Sequence, residues 1–233
     1  MRPQPFANPV WDALHGPHRQ FALGTERACR YPADVAPFAA LVTLEAQALR
    51  ELHSLLRPGE SVWLFGEHGE QTAEAGLKRV ETLECLQMMA DETALRASTA
   101  LVATSRIRRL TPADAPAMVE LTDLAFPGFF RARTHAMGTY YGVVEDGALV
   151  AMGGERLMLE RYPEISGVCT HPAHRAKGHA RSLIGQLMRD HNRAEQRSWL
   201  HVGAANTRAA ALYASLGFAT LGRVRLERLQ REP

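Results

Sequence analysis

The stretch Ser166–Asp190, SGVCTHPAHRAKGHARSLIGQLMRD, constrains the chain more than any other. It reads as a strand stopped by Pro172, a loop rich in His, Arg, Lys and Gly, and an amphipathic helix. On that helix Ala180, Leu183, Ile184, Leu187, Met188 and His191 share one face. A strand that turns straight into a helix belongs to a sheet packed against helices. Successive backbone N–H groups in a turn that opens a helix form an anion-binding concavity, and the helix dipole adds partial positive charge. Gly178 and Ala180 leave room for an anion at the main chain, while Arg175 and Lys177 add charge. Taken alone, the loop is equally a helix start with incidental surface cations.

The residues around it extend the pattern. In IRRLTPADAPAMVELTDLAF a short strand leads to a helix entered through Thr111, with Pro112 at its first position and Asp114 in the first turn. Glu145-Asp146-Gly147 between apolar runs marks a hairpin. SWLHVGA is a further strand. NTRAAALYASLGF is a helix capped by Asn206 and ended at Gly217, and GRVRLERL closes the chain as a strand. The expected order is βα…ββββαβαβ, an α/β chain with a mixed sheet and helices against it.

The first hundred residues say less. The segment to Gly16 is Pro-rich and expected to be irregular. LVTLEAQALRELHSLL, Leu41–Leu56, has helical spacing, and SVWLFGE, Ser61–Glu67, reads as a buried strand. LKRVETLECLQMMADE is expected to form two strands or one bent strand, with Met88 and Met89 as core filler. Glu92–Ser105 looks like a connection. These features divide the chain into an N-terminal α/β lobe, 1–104, and a second domain, 105–233.

Composition sets outer limits. The 233 residues are 46% hydrophobic and 22% charged, without an apolar run long enough for a membrane span. No secretory apolar core is evident at the N-terminus, and three scattered cysteines suit a reducing compartment, so cytoplasm is the expectation. Residues 1–104 carry a net charge of −4 and residues 105–233 a net of +6. The basic half has no dense arginine runs or interleaved aromatics, so a small phosphorylated ligand fits better than nucleic acid. His171, His174 and His179 straddle a proline and lack acidic or cysteine partners, so no metal is expected. Neither nucleic acid nor membrane is an expected partner; the sequence leaves room for a homodimer.

VCTHPAHRAKGHA followed by a helix, and then NTRAAALYASLGF, resembles the acyl-CoA-binding core of the GNAT superfamily of N-acetyltransferases, over roughly 106–229. The likeness is nearest to the FR47-like branch, which includes relatives of glycine N-acyltransferase. The family pattern [Q/R]-x-x-G-x-[G/A] is matched by Arg175, Gly178 and Ala180, although Ala176 stands where relatives usually carry glycine. The resemblance implies a GNAT fold in the C-terminal half, with a smaller α/β N-terminal lobe that could be a degenerate GNAT-like half. It implies acetyl-CoA as co-substrate, with Arg175, Ala176, Lys177, Gly178, His179 and Ala180 around the diphosphate and Asn206 also touching the cofactor. Val168, Cys169 and Thr170 would pair with the pantetheine arm along a splayed strand edge.

The same likeness places Glu164 where many relatives carry a general base and Tyr213 where they carry a general acid near the sulfur. Strict alternation puts Glu164 on the face of Val168 and Thr170 unless a bulge intervenes, and burial would raise its pKa. An exposed carboxylate at a strand end is an equal reading. Tyr213 lies on an apolar stripe with Ala209, Leu212 and Leu216, so its ring could simply pack. Asn206 could be an N-cap alone. Cys169 has no triad-like partner in view and is read as a backbone-pairing position. The implied reaction is acyl transfer from CoA to a primary amine of a small or amino-acid-like acceptor, by direct attack in a ternary complex. The alternative is a non-catalytic acyl-CoA-binding or regulatory protein. The acidic N-terminal half would wall the acceptor cleft and suit a cationic amine.

Overall fold

Glu145, Asp146 and Gly147 make the turn that their sequence announces. Asp146 (φ 51°) and Gly147 (φ 81°) are both left-handed, the mirror-image turn that matches strand twist. It joins β7 (Tyr140–Glu145) to β8 (Ala148–Leu159), and β9 (Tyr162–Thr170) returns antiparallel to β8. The computed structural model describes residues 6–91 and 107–233; the Glu92–Ser105 connection lies outside the described residues.

The N-terminal part holds α1 (Pro9–His15), then β1 (Leu23–Gly24), β2 (Ala28–Arg30) and β3 (Ala39–Leu41) in a small antiparallel sheet. It continues with α2 (Ala46–Leu55), β4 (Ser61–Phe65), the short α3 (Gln71–Glu74) and β5 (Leu77–Ala90). The remainder is β6 (Ile107–Arg109), α4 (Ala115–Asp123), β7 to β9, α5 (His179–Arg193), β10 (Trp199–Gly203), α6 (Thr207–Ser215) and β11 (Phe218–Arg231).

Four local expectations change. The Pro-rich start is helical from Pro9, where a missing N–H costs nothing in the first turn. The helix expected from Leu41 begins at Ala46, because Leu41 closes the last strand of the small sheet. Three strands, not four, separate α4 from the basic loop. LKRVETLECLQMMADE is one strand of 14 residues, with two register shifts against β11. Its first half pairs with β11 alone and is largely exposed, whereas Cys85–Met89 pair with both β10 and β11. That change of surroundings produces its mixed sequence pattern. Thr111 caps a short 3-10 turn that leads into α4, where the helix itself was expected to start, and its N–H donates to the Asp114 carboxylate.

The main sheet has eight strands in the order β4-β11-β5-β10-β9-β8-β7-β6. It takes strands from both sides of residue 104, since β5 lies between β10 and β11. Every neighbouring pair is antiparallel except β9 and β10, which run parallel and meet at one registered pair, Trp199 with Glu164. Beyond that pair the two strands separate. α5 packs Ile184, Leu187 and Met188 against Ile165, Leu200, Val202 and Met88, which covers the sheet on one face beside the opening.

A fragment of residues 105–233 would expose unpaired edges on both β10 and β11. It should show no cooperative thermal transition by circular dichroism, whereas the full chain should melt in one step.

Candidate active site

The opening between β9 and β10 is widened by a bulge. Gly154 faces Ser166 and Met152 faces Cys169, so β9 carries one residue more than β8 between these pairs, with Gly167 at φ 64°. The bulge breaks the simple alternation that would align Glu164 with Val168 and Thr170. Two adjoining cavities fill the wedge. One, of about 480 Å³, is lined by the end of β9, the basic loop and the start of α6. The other, of about 260 Å³, lies deeper among aromatic side chains. Phe126, Val168, Asn206, Ala209 and Tyr213 border both, so the two form one cleft.

The structure brings every expected cofactor position onto the larger cavity. Val168, Cys169, Thr170, Arg175, Ala176, Lys177, Gly178, His179, Ala180, Asn206 and Tyr213 all line it. Cys169 has its side chain buried, and burial pushes its thiol up to about 12, so it offers backbone and not a nucleophile. Ala176 (φ 64°) and Gly178 (φ 82°) are both left-handed. Left-handed residues of this kind curve a chain so that successive N–H groups face inward, the concavity an anion needs. At Gly178 a Cβ would meet no atom within 4 Å, so glycine is there for its backbone angle. Ala176 adopts the same angle at a cost of roughly 1–2 kcal/mol. Asn206 accepts a hydrogen bond from the Ala209 N–H, so it caps α6 as well as lining the cleft.

The loop's cations have a different disposition from the expected one. Lys177 Nζ donates to Glu145 Oε2 at 2.8 Å, and His174 Nδ1 lies 2.8 Å from the same oxygen. His179 Nε2 is 3.2 Å from Glu145 Oε1. Lys177 and His174 hold the Glu145 carboxyl down at about 2. Lys177 therefore fastens the loop to the β7–β8 turn while lining the cavity. Arg175 reaches back to the Thr170 carbonyl at 3.4 Å, and Arg181 donates to Ser215 Oγ. Arg208 also lines the cavity and makes no hydrogen bond or ion pair among the described residues. Sequence reading missed Arg181, Arg208 and Glu145. The first two follow the motifs at helical positions facing the loop; Glu145 had only a turn signal.

Glu164 departs furthest from expectation. It is fully buried and lines neither cavity. Arg156 on β8 donates to it twice, Nε to Oε2 at 2.9 Å and Nη2 to Oε1 at 2.6 Å. His201 Nδ1 on β10 lies 2.8 Å from Oε1, and the Leu157 N–H donates to Oε2. Burial alone would raise its pKa, but Arg156 and His201 outweigh burial and hold it at about 2. The expectation of a raised pKa is thus corrected: a carboxylate held by a guanidinium fork and further hydrogen bonds is stabilised in its charged form. Burial pushes His201 below its usual value, and its Nε2 sits 3.1 Å from Gln87 Nε2, so the ring is a neutral acceptor on that side.

Tyr213 is 8% exposed and borders both cavities, and its hydroxyl makes no hydrogen bond among the described residues. Burial pushes the phenol up to about 12, so it keeps its proton at neutral pH. Ring packing on Phe218 and access to the cleft coexist, as both sequence readings required.

Residues 140–226 match the family of FR47-like proteins. The structure is similar to a GNAT-family protein from Novosphingobium aromaticivorans, with a TM-score of 0.83 and 29% identity over 99% of this chain and 100% of that one. The chain has the GNAT fold, and its residues 140–226 resemble FR47-like proteins. A GCN5-related N-acetyltransferase from Kribbella flavida shares the fold at 15% identity and a TM-score of 0.61, covering 96% of this chain and 94% of that one. A tandem GNAT protein from the clavulanic acid biosynthesis pathway does so at 18% and 0.53, covering 85% and 76%. No curated protein matches the chain. The GNAT fold supports acyl transfer as the general activity. No described helix is long and apolar enough to cross a membrane.

Glu145→Ala should unfasten the loop and weaken coenzyme A binding by on the order of tenfold, or ~1.4 kcal/mol, by calorimetry. Glu164→Gln should lower stability by ~3–5 kcal/mol in denaturant, because it leaves Arg156 buried with a weaker partner. With its folded pKa near 2 and an ordinary value of 4.5, the Glu164 contribution is complete above about pH 4.5. It is lost as pH falls towards 2, so the wild-type melting temperature should fall over that window.

Proposed function

We infer that the chain is an acetyl-CoA-dependent N-acyltransferase that acylates the primary amine of a small molecule. One observation carries this reading: the anion-binding loop and the phenol of Tyr213 share a cleft whose deeper end is a separate cavity. In the proposed arrangement the amides near Ala176–Ala180 take the CoA diphosphate. The pantetheine arm lies along the free edge of Val168, Cys169 and Thr170, whose amide groups no neighbouring strand pairs on that side.

The amine attacks the thioester carbonyl carbon, the carbon–sulfur bond breaks, and the departing thiolate takes a proton from the Tyr213 hydroxyl. An ordinary thiol titrates near ~8.5, so a phenol near 12 does not spontaneously lose its proton yet can hand it to a nascent thiolate along a hydrogen bond. The proton released by the nitrogen restores the phenol through solvent, giving amide and free thiol. Glu164 has no part in proton transfer here, because its oxygens are taken up by Arg156, His201 and Leu157. Desolvation in the apolar cavity favours the neutral amine instead. Placing amine and thioester side by side supplies much of the remaining acceleration.

Tyr213→Phe should lower kcat by ~10²-fold or more, while the KM for acetyl-CoA stays within a few-fold of wild type. Wild-type kcat/KM should rise with pH along the ionisation of the acceptor amine. Thiol-release assays across amines and acyl-CoAs read both. Tight CoA binding without thiol release from any amine would favour a non-catalytic acyl-CoA-binding protein.

A further inference from the structure

The deeper cavity is built from Leu83, Phe126, Phe129, Phe130, Ile165 and Val202, with a few polar groups between them. No Asp or Glu is among its described lining residues; its permanent charge is Arg156. The segment before residue 104 contributes Leu83 and Cys85, so the expected acidic wall for a cationic amine is absent from this lining. A polycation entering here would shed water without meeting a countercharge, which is costly.

Arg156 has five N–H donors in a rigid fork. Nε and Nη2 serve Glu164, and the Phe38 ring lies 4.8 Å from the guanidinium carbon on one face. Nη1 has no acceptor among the described residues, and the side chain, 13% exposed, borders the cavity. A pair of N–H groups without an acceptor on an otherwise committed guanidinium seeks an oxygen with lone pairs.

We propose that this cavity is the acceptor site, that it takes an amine with an aromatic or branched apolar body, and that Arg156 Nη1 binds an oxygen the acceptor carries beside its nitrogen, as a carboxylate or carboxamide. The identification as acceptor site rests on the acyl-transfer reading above; the binding preference does not. The Arg156–Glu164 pair is neutral as a unit, so the fork acts as a directional donor, and either oxygen type satisfies it. Arg156 is then a specificity-determining residue on β8, held in place by the Glu164 carboxylate.

The test is calorimetric titration of L-phenylalanine, L-phenylalaninamide, phenethylamine and spermidine into protein saturated with coenzyme A. The first two should bind at least tenfold more tightly than phenethylamine, and spermidine should not bind detectably; the order of the first two distinguishes carboxylate from carboxamide. Arg156→Lys keeps a cation for Glu164 but removes the fork. Where it retains wild-type CoA affinity as a folding control, it should bring phenylalanine and phenethylamine within about twofold; should it fail to fold, the wild-type ladder decides alone. Equal or tighter binding of spermidine or phenethylamine, binding of none of the four, or an unchanged ladder in folded Arg156→Lys would overturn the proposal. Parallel thiol-release assays with acetyl-CoA separate the two readings. The expected ladder without release overturns acyl transfer and leaves the site; release with spermidine alone upholds transfer and overturns the site.

Discussion

A single buried carboxylate holds together the point where the sheet opens. Glu164 lies on β9, its guanidinium partner Arg156 on β8 and its imidazole partner His201 on β10. Three strands are thus tied at the one place where β9 and β10 still pair, and past that place they part. Two strands that diverge leave backbone groups that must find partners. The tie fixes where divergence starts, and the Gly167 bulge sets the direction of the free edge. Taking charges out of water is costly, and a buried pair persists only with good geometry and further hydrogen bonds. Here the forked Arg156 contact, His201 and the Leu157 amide meet those conditions. The residue that resemblance places as a base is buried within this tie and borders neither cavity.

Electrostatics at the outer end work by a similar division of labour. The basic loop is cationic in sequence, yet His174, Lys177 and His179 turn towards Glu145 on the neighbouring hairpin. These contacts set the shape of the turn. What remains for an anion is the inward curve at Ala176 and Gly178, the start of α5, and Arg208 across the cleft. Backbone amides held by such a brace are ordered before any ligand arrives, which reduces the cost of binding.

The C-terminal half was legible in the sequence because its signals are local. Asp146-Gly147 dictates a turn, Asn206 a cap and Gly217 a helix end, and each does so within a few residues. The lining of the larger cavity was legible for the same reason: most of it falls within one strand–loop–helix segment. What escaped depends on partners far along the chain. The role of Glu164 is decided by Arg156 and by His201, 37 positions away, and Lys177 is redirected by Glu145, 32 positions before it. The single long strand β5 was obscured because its surroundings change midway, from one neighbour to two. Nothing local announces that residues 77–90 will sit between two strands from the other end of the chain.

The account stands on main-chain amides from Ala176 to Ala180 gripping a diphosphate. Backbone amide hydrogen exchange, followed residue by residue with and without saturating coenzyme A, addresses it directly. Slowed exchange concentrated at residues 176–180 and along 168–170 is the predicted pattern. Coenzyme A that binds while those amides exchange as freely as before would contradict it.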